Sequence, residues 1–393
     1  MTRAAKVVFV GVTLIFAAVL AGTAAPPPRA NGEQIFRYDT FDDEQLWTNV
    51  LRMHEALRSV APATALAVGL KVDAEALPPE LVAAIRSGDA KLTDPAVTIA
   101  LLRLNAVVGV IGKVDDVGQL TSVGITCALC HSTVDNSFMA GVGKRLDGWP
   151  NRDLNVGAIL GLSPLLDDPG WGPGRYDPRH QVFDGQNVVT RFDDMVPVLI
   201  PPAYGLKGVG FETYTGDGPI SYWNSYVGVS QMGGKGNFSD PRIGLFITQQ
   251  PDRVTPKLPA LLEYQLSLKA PTPPAGSFDA AAASRGERLF NGKADCARCH
   301  TPPTYTDVLS GPDPRVPLLH DPEETGVDPH YATRSATGRY RATPLGGIWQ
   351  HPPYFHDGSA ADLPAVVDHY DDVMRLNLSA RQKADLVEFL KSL

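Results

Sequence analysis

Two five-residue stretches carry the chemistry of this sequence, Cys127-Ala128-Leu129-Cys130-His131 and Cys296-Ala297-Arg298-Cys299-His300. Together they use all four cysteines of the chain. Two disulfides would not require a histidine after each pair, and a zinc site built from four thiolates would leave both imidazoles without a purpose. Covalent haem attachment does require the arrangement. Two thiols three positions apart add to the vinyl groups along one porphyrin edge, and the adjoining imidazole reaches the iron from the proximal face. The pattern implies two c-type haems per chain, held by Cys127, Cys130, Cys296 and Cys299, with His131 and His300 as proximal ligands.

The elements that must position these motifs are legible in part. Residues 31–120 carry no cysteine and read as a helical extension. Leu46, Val50, Met53 and Leu57 recur at helical spacing after the acidic start Asp42 to Glu44, with His54 as a packed core histidine on that face. A second helix is expected to open at Asp94-Pro95 and run through Leu101, Leu104 and Val108. The first haem domain spans 121–270, and its middle, Trp171 to His180, is dense in turn formers. Gln265 to Gly276, with Pro271, Pro273 and Pro274, reads as a linker. The second haem domain spans 278–393. Ser284 and Glu287 make a capping-box pattern for a helix ending near Gly292, ahead of Cys296. Asp362 can cap a helix that presents Val366, Tyr370 and Met374 on one face. Ser379 and Gln382 open a last helix with Leu386, Phe389, Leu390 and Leu393 as its apolar stripe.

At the N-terminus, Arg3 and Lys6 precede an apolar run from Val7 to Leu20 and then small residues, the layout of a secretory signal over residues 1–30. Its removal takes away three basic groups and moves the formal charge from −8 to −11. Such a surface repels phosphate backbones, which excludes nucleic acid as the expected partner. No later segment is apolar for long enough to span a bilayer, so a periplasmic or extracellular location is expected. With 37 glycines and 34 prolines in 393 residues, a mainly α chain must link its helices by long irregular loops.

The segment from Arg341 through His351-Pro352-Pro353-Tyr354-Phe355-His356-Asp357-Gly358 resembles the bacterial di-haem cytochrome c peroxidase and MauG superfamily. The likeness covers 278–393 well, the first haem region loosely and 31–120 not at all. It implies two class I cytochrome c-like haem domains. It also implies calcium between the domains, a small redox protein as electron donor, and peroxide or O2 as the small-molecule partner. In the family the distal ligand of the second haem follows the HDG histidine by about fourteen residues, which gives Tyr370. His356 and Met374 remain alternatives; a related group of rubber-cleaving oxygenases resembles this chain in carrying a histidine at the comparable turn. After His131 the next histidine is His180, so the first haem is either open or ligated by Met139 or His180. Where the family carries a distal acid in a VEMG-like turn, this chain has Val229-Ser230-Gln231-Met232-Gly233. Gln231 can donate a hydrogen bond there but cannot shuttle a proton. The family's electron-bridging tryptophan aligns with Tyr214, with Trp223 close by in sequence.

Three activities follow. The leading one is a peroxidase in which the His131 haem reacts and the His300 haem stores an electron. The others are an oxygenase or oxidase of an organic substrate, and a plain di-haem electron carrier.

Overall fold

The computed structural model describes residues 31–88 and 91–393; the expected signal segment, 1–30, lies outside them. The chain is helix-rich, and among the described residues its sheets are six two-stranded pieces between residues 72 and 247.

The N-terminal segment does not stand apart as an extension. Leu46, Met53, Leu57, Leu101 and Leu102 share one buried cluster with Leu129, Leu154, Phe183 and Ile200 of the first haem region. The expected boundary at residue 120 falls inside an antiparallel hairpin, Val110–Val114 with Leu120–Ile125, in which Val110 faces Ile125. That hairpin delivers the chain to the first motif. The Thr126 N–H donates to the Gly109 carbonyl at 3.0 Å, the Thr126 hydroxyl donates to the Arg37 carbonyl at 3.1 Å, and the one-turn helix Ala128–His131 follows.

The expected first helix is broken. A π-helical turn, Gln45–Val50, closes at Leu51; Arg52, whose φ of 54° is left-handed, then precedes a new helix, Met53–Leu57. Leu46, Met53 and Leu57 are nonetheless all buried, because the break re-aims the apolar face onto the hairpin. The helix Pro95–Arg103 starts as expected, capped by Asp94, but stops before Val108, which enters the hairpin region.

Asp43 sits fully buried behind the hairpin and accepts the Ile125 N–H at 3.0 Å. Burial, with Glu44, Asp39 and Asp42 nearby, raises its carboxyl well above the ordinary range, against the opposing Ile125 hydrogen bond. A group whose folded value exceeds its unfolded one stabilises most at low pH and loses that contribution as pH climbs through the raised value. Asp43→Asn keeps an acceptor for Ile125 and removes the charge. It should raise stability at neutral pH and flatten the slope between about pH 5 and about pH 8. Urea melts at the two pH values check this; unchanged slopes would contradict it.

The second half is built on a helix crossing. Ala280–Phe290 packs against Ala380–Lys391, and Leu363–Val373 lies on the latter. Asp279, not Ser284, caps the first of these: its carboxylate accepts the N–H groups of Ala281 at 2.8 Å and Ala282 at 2.9 Å. The alanine run 280–283 is so favourable to helix that it forms upstream of the capping-box pattern. Ser379 and Gln382 do form the reciprocal capping box, and Asp362 does cap Leu363–Val373.

Buried ion pairs hold the halves together: Asp177 with Arg334 at 2.9 Å and Glu212 with Arg341 at 3.0 Å. The Leu199 N–H donates to the His356 carbonyl at 2.7 Å across the same junction. Among the described residues, no helix is long and apolar enough to cross a membrane.

Candidate functional site

No disulfide joins any of the four cysteines. In each motif the histidine is oriented by its Nδ1. His131 Nδ1 lies 3.1 Å from the Pro201 carbonyl and His300 Nδ1 lies 3.0 Å from the Tyr305 carbonyl. A carbonyl only accepts, so Nδ1 carries the proton and the Nε2 lone pair is left for a metal. Burial lowers both imidazoles, His131 to about 4, which keeps them neutral as ligation requires. Burial also pushes the thiols up, Cys127 and Cys130 to about 12 and Cys296 to about 11.

The second motif opens onto a cavity of about 1160 Å³. Phe290, Leu345, Ile348, Val367, Leu386 and Leu390 give it an apolar wall continuous with the core of the C-terminal half. Apolar walls, two thiols on one edge and an imidazole with a free Nε2 suit a porphyrin, so the residues present fit a c-type haem.

Tyr370, His356 and Met374 all line this cavity. They differ in how they are engaged. His356 is buried between Tyr331 and Tyr340, and its Nε2 lies 3.2 Å from the Tyr340 hydroxyl. That hydroxyl donates to the Asp328 carbonyl at 2.7 Å, so its oxygen receives the His356 N–H. Among the described residues, the Tyr370 hydroxyl has no hydrogen-bond partner. Burial first, then the neighbouring Cys296 and Cys299 sulfurs, push it up to about 12.

Around the first motif the expected residues separate. Gln231 is held at both ends of its amide. The Tyr176 hydroxyl donates to its Oε1, and its Nε2 donates to the Ser230 hydroxyl at 3.0 Å and the Gln181 carbonyl at 3.3 Å. Tyr176, close enough to Cys130 for the thiol to influence its titration, is the side chain between Gln231 and the motif. Tyr214 instead lines the second cavity, 6.1 Å ring to ring from His356, and donates to the Leu199 carbonyl at 3.1 Å. Trp223 packs on Tyr226 in an arginine-walled cleft beside Arg179. His180 contacts the Asp194 carbonyl at 3.2 Å, and Met139 packs against the N-terminal core.

Several residues near the sites gave no signal in the sequence. Tyr176 lies inside the turn-rich stretch and reads there as loop. Trp149 follows Gly148, whose N–H donates to the His131 carbonyl at 2.8 Å. Its ring meets those of Tyr204 and Trp349 edge-on, which makes an aromatic path from the first motif to the wall of the second cavity. His320, bonded to Asp307 at 3.1 Å, is pushed up to about 10 mainly by that contact and then by Cys299. Among the described residues, the compact group of potential metal ligands is Cys299, His320 and Glu324. Cys299 and His320 of this group line the second cavity.

No protein-family model matches the chain. It is 31% identical over 129 residues to the methylamine utilization protein MauG of Methylorubrum extorquens, covering 28% of this chain and 34% of that protein. It is 30% identical over 147 residues to the cytochrome-c peroxidase IdrP1 of Pseudomonas sp. strain SCT, covering 28% of this chain and 39% of the relative. The chain thus spans little more than a third of the curated relatives it matches. A MauG-like protein associated with microbial copper homeostasis aligns over 51% of this chain and 74% of its own, at 21% identity and a TM-score of 0.36. Over the segment it shares with these curated relatives, the chain is similar to members of the di-haem cytochrome c peroxidase and MauG superfamily.

Proposed function

We propose that this chain is an exported di-haem oxidoreductase that reduces hydrogen peroxide at the His131 site, with an electron held in reserve at the His300 site. The observation that carries the reading is the asymmetry of the groups available opposite the two imidazoles. At the second site Tyr370 offers the cavity a hydroxyl with no hydrogen-bond partner among the described residues. At the first, Tyr176 is tied to Gln231 and Met139 to the core. A haem that Tyr370 also held would suit electron storage, and one held by His131 alone would admit peroxide. Bound haem would supply the redox-active iron.

The protein's own residues then have defined tasks. The Pro201 and Tyr305 carbonyls hold the two proximal imidazoles in the tautomer that presents Nε2. Gln231 acts through Tyr176: by accepting the phenolic proton it turns the Tyr176 oxygen's lone pairs outward, as an acceptor for a peroxide O–H. Trp149, Tyr204 and Trp349 supply the aromatic contact between sites. The second site belongs to residues 278–393, and the first to a unit in which residues 31–120 share the core; the donor is a small redox protein, and the location is the periplasm or beyond.

CO added to the reduced protein should bind one haem. Tyr370→Phe should alter the spectrum of the other while leaving that CO complex intact. Gln231→Ala should raise the barrier to peroxide turnover by about 1–3 kcal/mol through loss of Tyr176 orientation. CO bound at the His300 haem would reverse the assignment, and CO at neither would leave an electron carrier.

A further inference from the structure

Arg152 is the anomaly among the interior cations. The buried guanidinium groups of Arg145, Arg179, Arg334 and Arg341 each face a carboxylate: Asp73, Asp217, Asp177 and Glu212 in turn. Arg152 has none within ion-pair distance among the described residues, and its Nε and Nη1 are buried without a hydrogen-bond partner. Its surroundings are neutral. It lines the second cavity together with Tyr204, Tyr214, Tyr354 and His351. His351 is lowered to about 3, by burial first and by the Arg152 charge second, and so brings no compensation.

Burying an unpaired guanidinium costs several kcal/mol. Arginine does not escape that cost by losing its proton. Arg152 is half-buried and its polar neighbour Tyr214 is neutral, so an anion entering the cavity is the partner that would offset this cost. The cavity is the one that holds Cys296, Cys299 and His300, and a haem seated there brings two carboxylates of its own on the edge away from the thioethers.

We propose that Arg152 binds a propionate carboxylate of the His300 haem, and that this contact couples the two haem sites. The inference rests on the reading that a haem occupies this cavity. The coupling comes from the backbone. Asn151, the preceding residue, donates its N–H to the Cys130 carbonyl at 2.9 Å, and its side-chain amide donates to the Gly69 carbonyl at 3.0 Å. The first motif thus fixes where the guanidinium stands in the second site. A fixed positive charge beside a haem favours the reduced iron, so Arg152 raises the potential of the electron-storing site relative to the same site without it.

The test is a potentiometric titration of the full-length holoprotein, followed optically, for wild type, Arg152→Gln and Arg152→Lys, with pyridine haemochrome counting of each. Arg152→Gln should shift the midpoint of one haem negative and move the other less, with two haems still present. Arg152→Lys, which keeps the charge, should lie nearer wild type, and EGTA should leave the wild-type midpoints unchanged. Two haems with both midpoints unmoved in Arg152→Gln would overturn the proposal. So would a lysine variant shifted as far as the glutamine one, or a wild type that EGTA shifts to the glutamine values. Fewer than two haems in wild type would instead overturn the reading on which it rests. Should Arg152→Gln fail to fold, the redox-difference infrared spectrum of wild type labelled at the arginine guanidino carbon decides. A redox-linked arginine band that is lost in Arg152→Lys supports the contact, and its absence in wild type refutes it.

Discussion

Replacing both Cys296 and Cys299 with alanine should halve the covalent haem content and unfold the C-terminal third of the chain. The cavity they border measures about 1160 Å³. At about 24 cal/mol per Å³, leaving it vacant would cost on the order of 28 kcal/mol, against a typical stability of about 5–15 kcal/mol. Water entering an open cleft makes that figure a ceiling, yet half of it already equals the whole stability of an ordinary domain. The helices Ala280–Phe290, Leu363–Val373 and Ala380–Lys391 each contribute side chains to the wall, including Phe290, Val367 and Leu386. Without the thioethers that wall closes on nothing. Pyridine haemochrome counting should fall from two to one, and hydrogen exchange should show 278–393 unprotected while the Leu46–Leu129 core stays protected. Native-like protection of 278–393 without its haem would refute the argument.

The second large effect is at Gly286. In an exposed helix a Gly→Ala change stabilises by about 1 kcal/mol. Here a Cβ would fall 2.0 Å from the Asp385 carbonyl oxygen and 2.8 Å from the Phe389 Cβ, where the two long helices cross. Relief requires the helices to part. That would disengage the Phe290 and Phe389 rings, now 5.1 Å apart, and stretch the Arg285–Asp385 bidentate pair at 2.7 and 2.9 Å. Gly286→Ala should therefore cost about 3 kcal/mol or more. Ser284→Ala, exposed on the same helix, should gain about 0.5 kcal/mol. Urea denaturation of the holoprotein separates the two. Equal stability for both variants would mean that the crossing yields easily.

Gly286 also marks a limit of reading from sequence. Within Ala280–Phe290 it looks like a weak point, and nothing local says that another helix's backbone lies against it. The same division runs through the candidate sites. Tyr370 could be placed on one face with Val366 and Met374 because helical period is a local property, and the Asp362 cap formed where its side chain dictates. Gln231 could be located by pattern, but not the fact that its amide is spent on Tyr176, Ser230 and Gln181, which arrive from other parts of the chain. Tyr214 and Trp223, near in sequence, face different cavities because the turn between them sends the chain into two cores.

By itself, the sequence carries the reading of covalent haem attachment. Four cysteines, each pair followed by histidine, match the spacing that thioethers and a proximal imidazole need, and spacing survives any tertiary arrangement. It also determined the helix starts at Asp94, Asp362 and Ser379, where a side chain bonds the backbone two or three residues on. Tertiary structure alone decided that residues 31–120 share a core with the first haem region. The apolar faces of that segment are short and broken and carry no mark of their partner. It alone decided that Arg152, fixed to the first motif by Asn151, projects an unpaired charge into the second cavity, because a missing counter-ion appears only when every neighbour is in place.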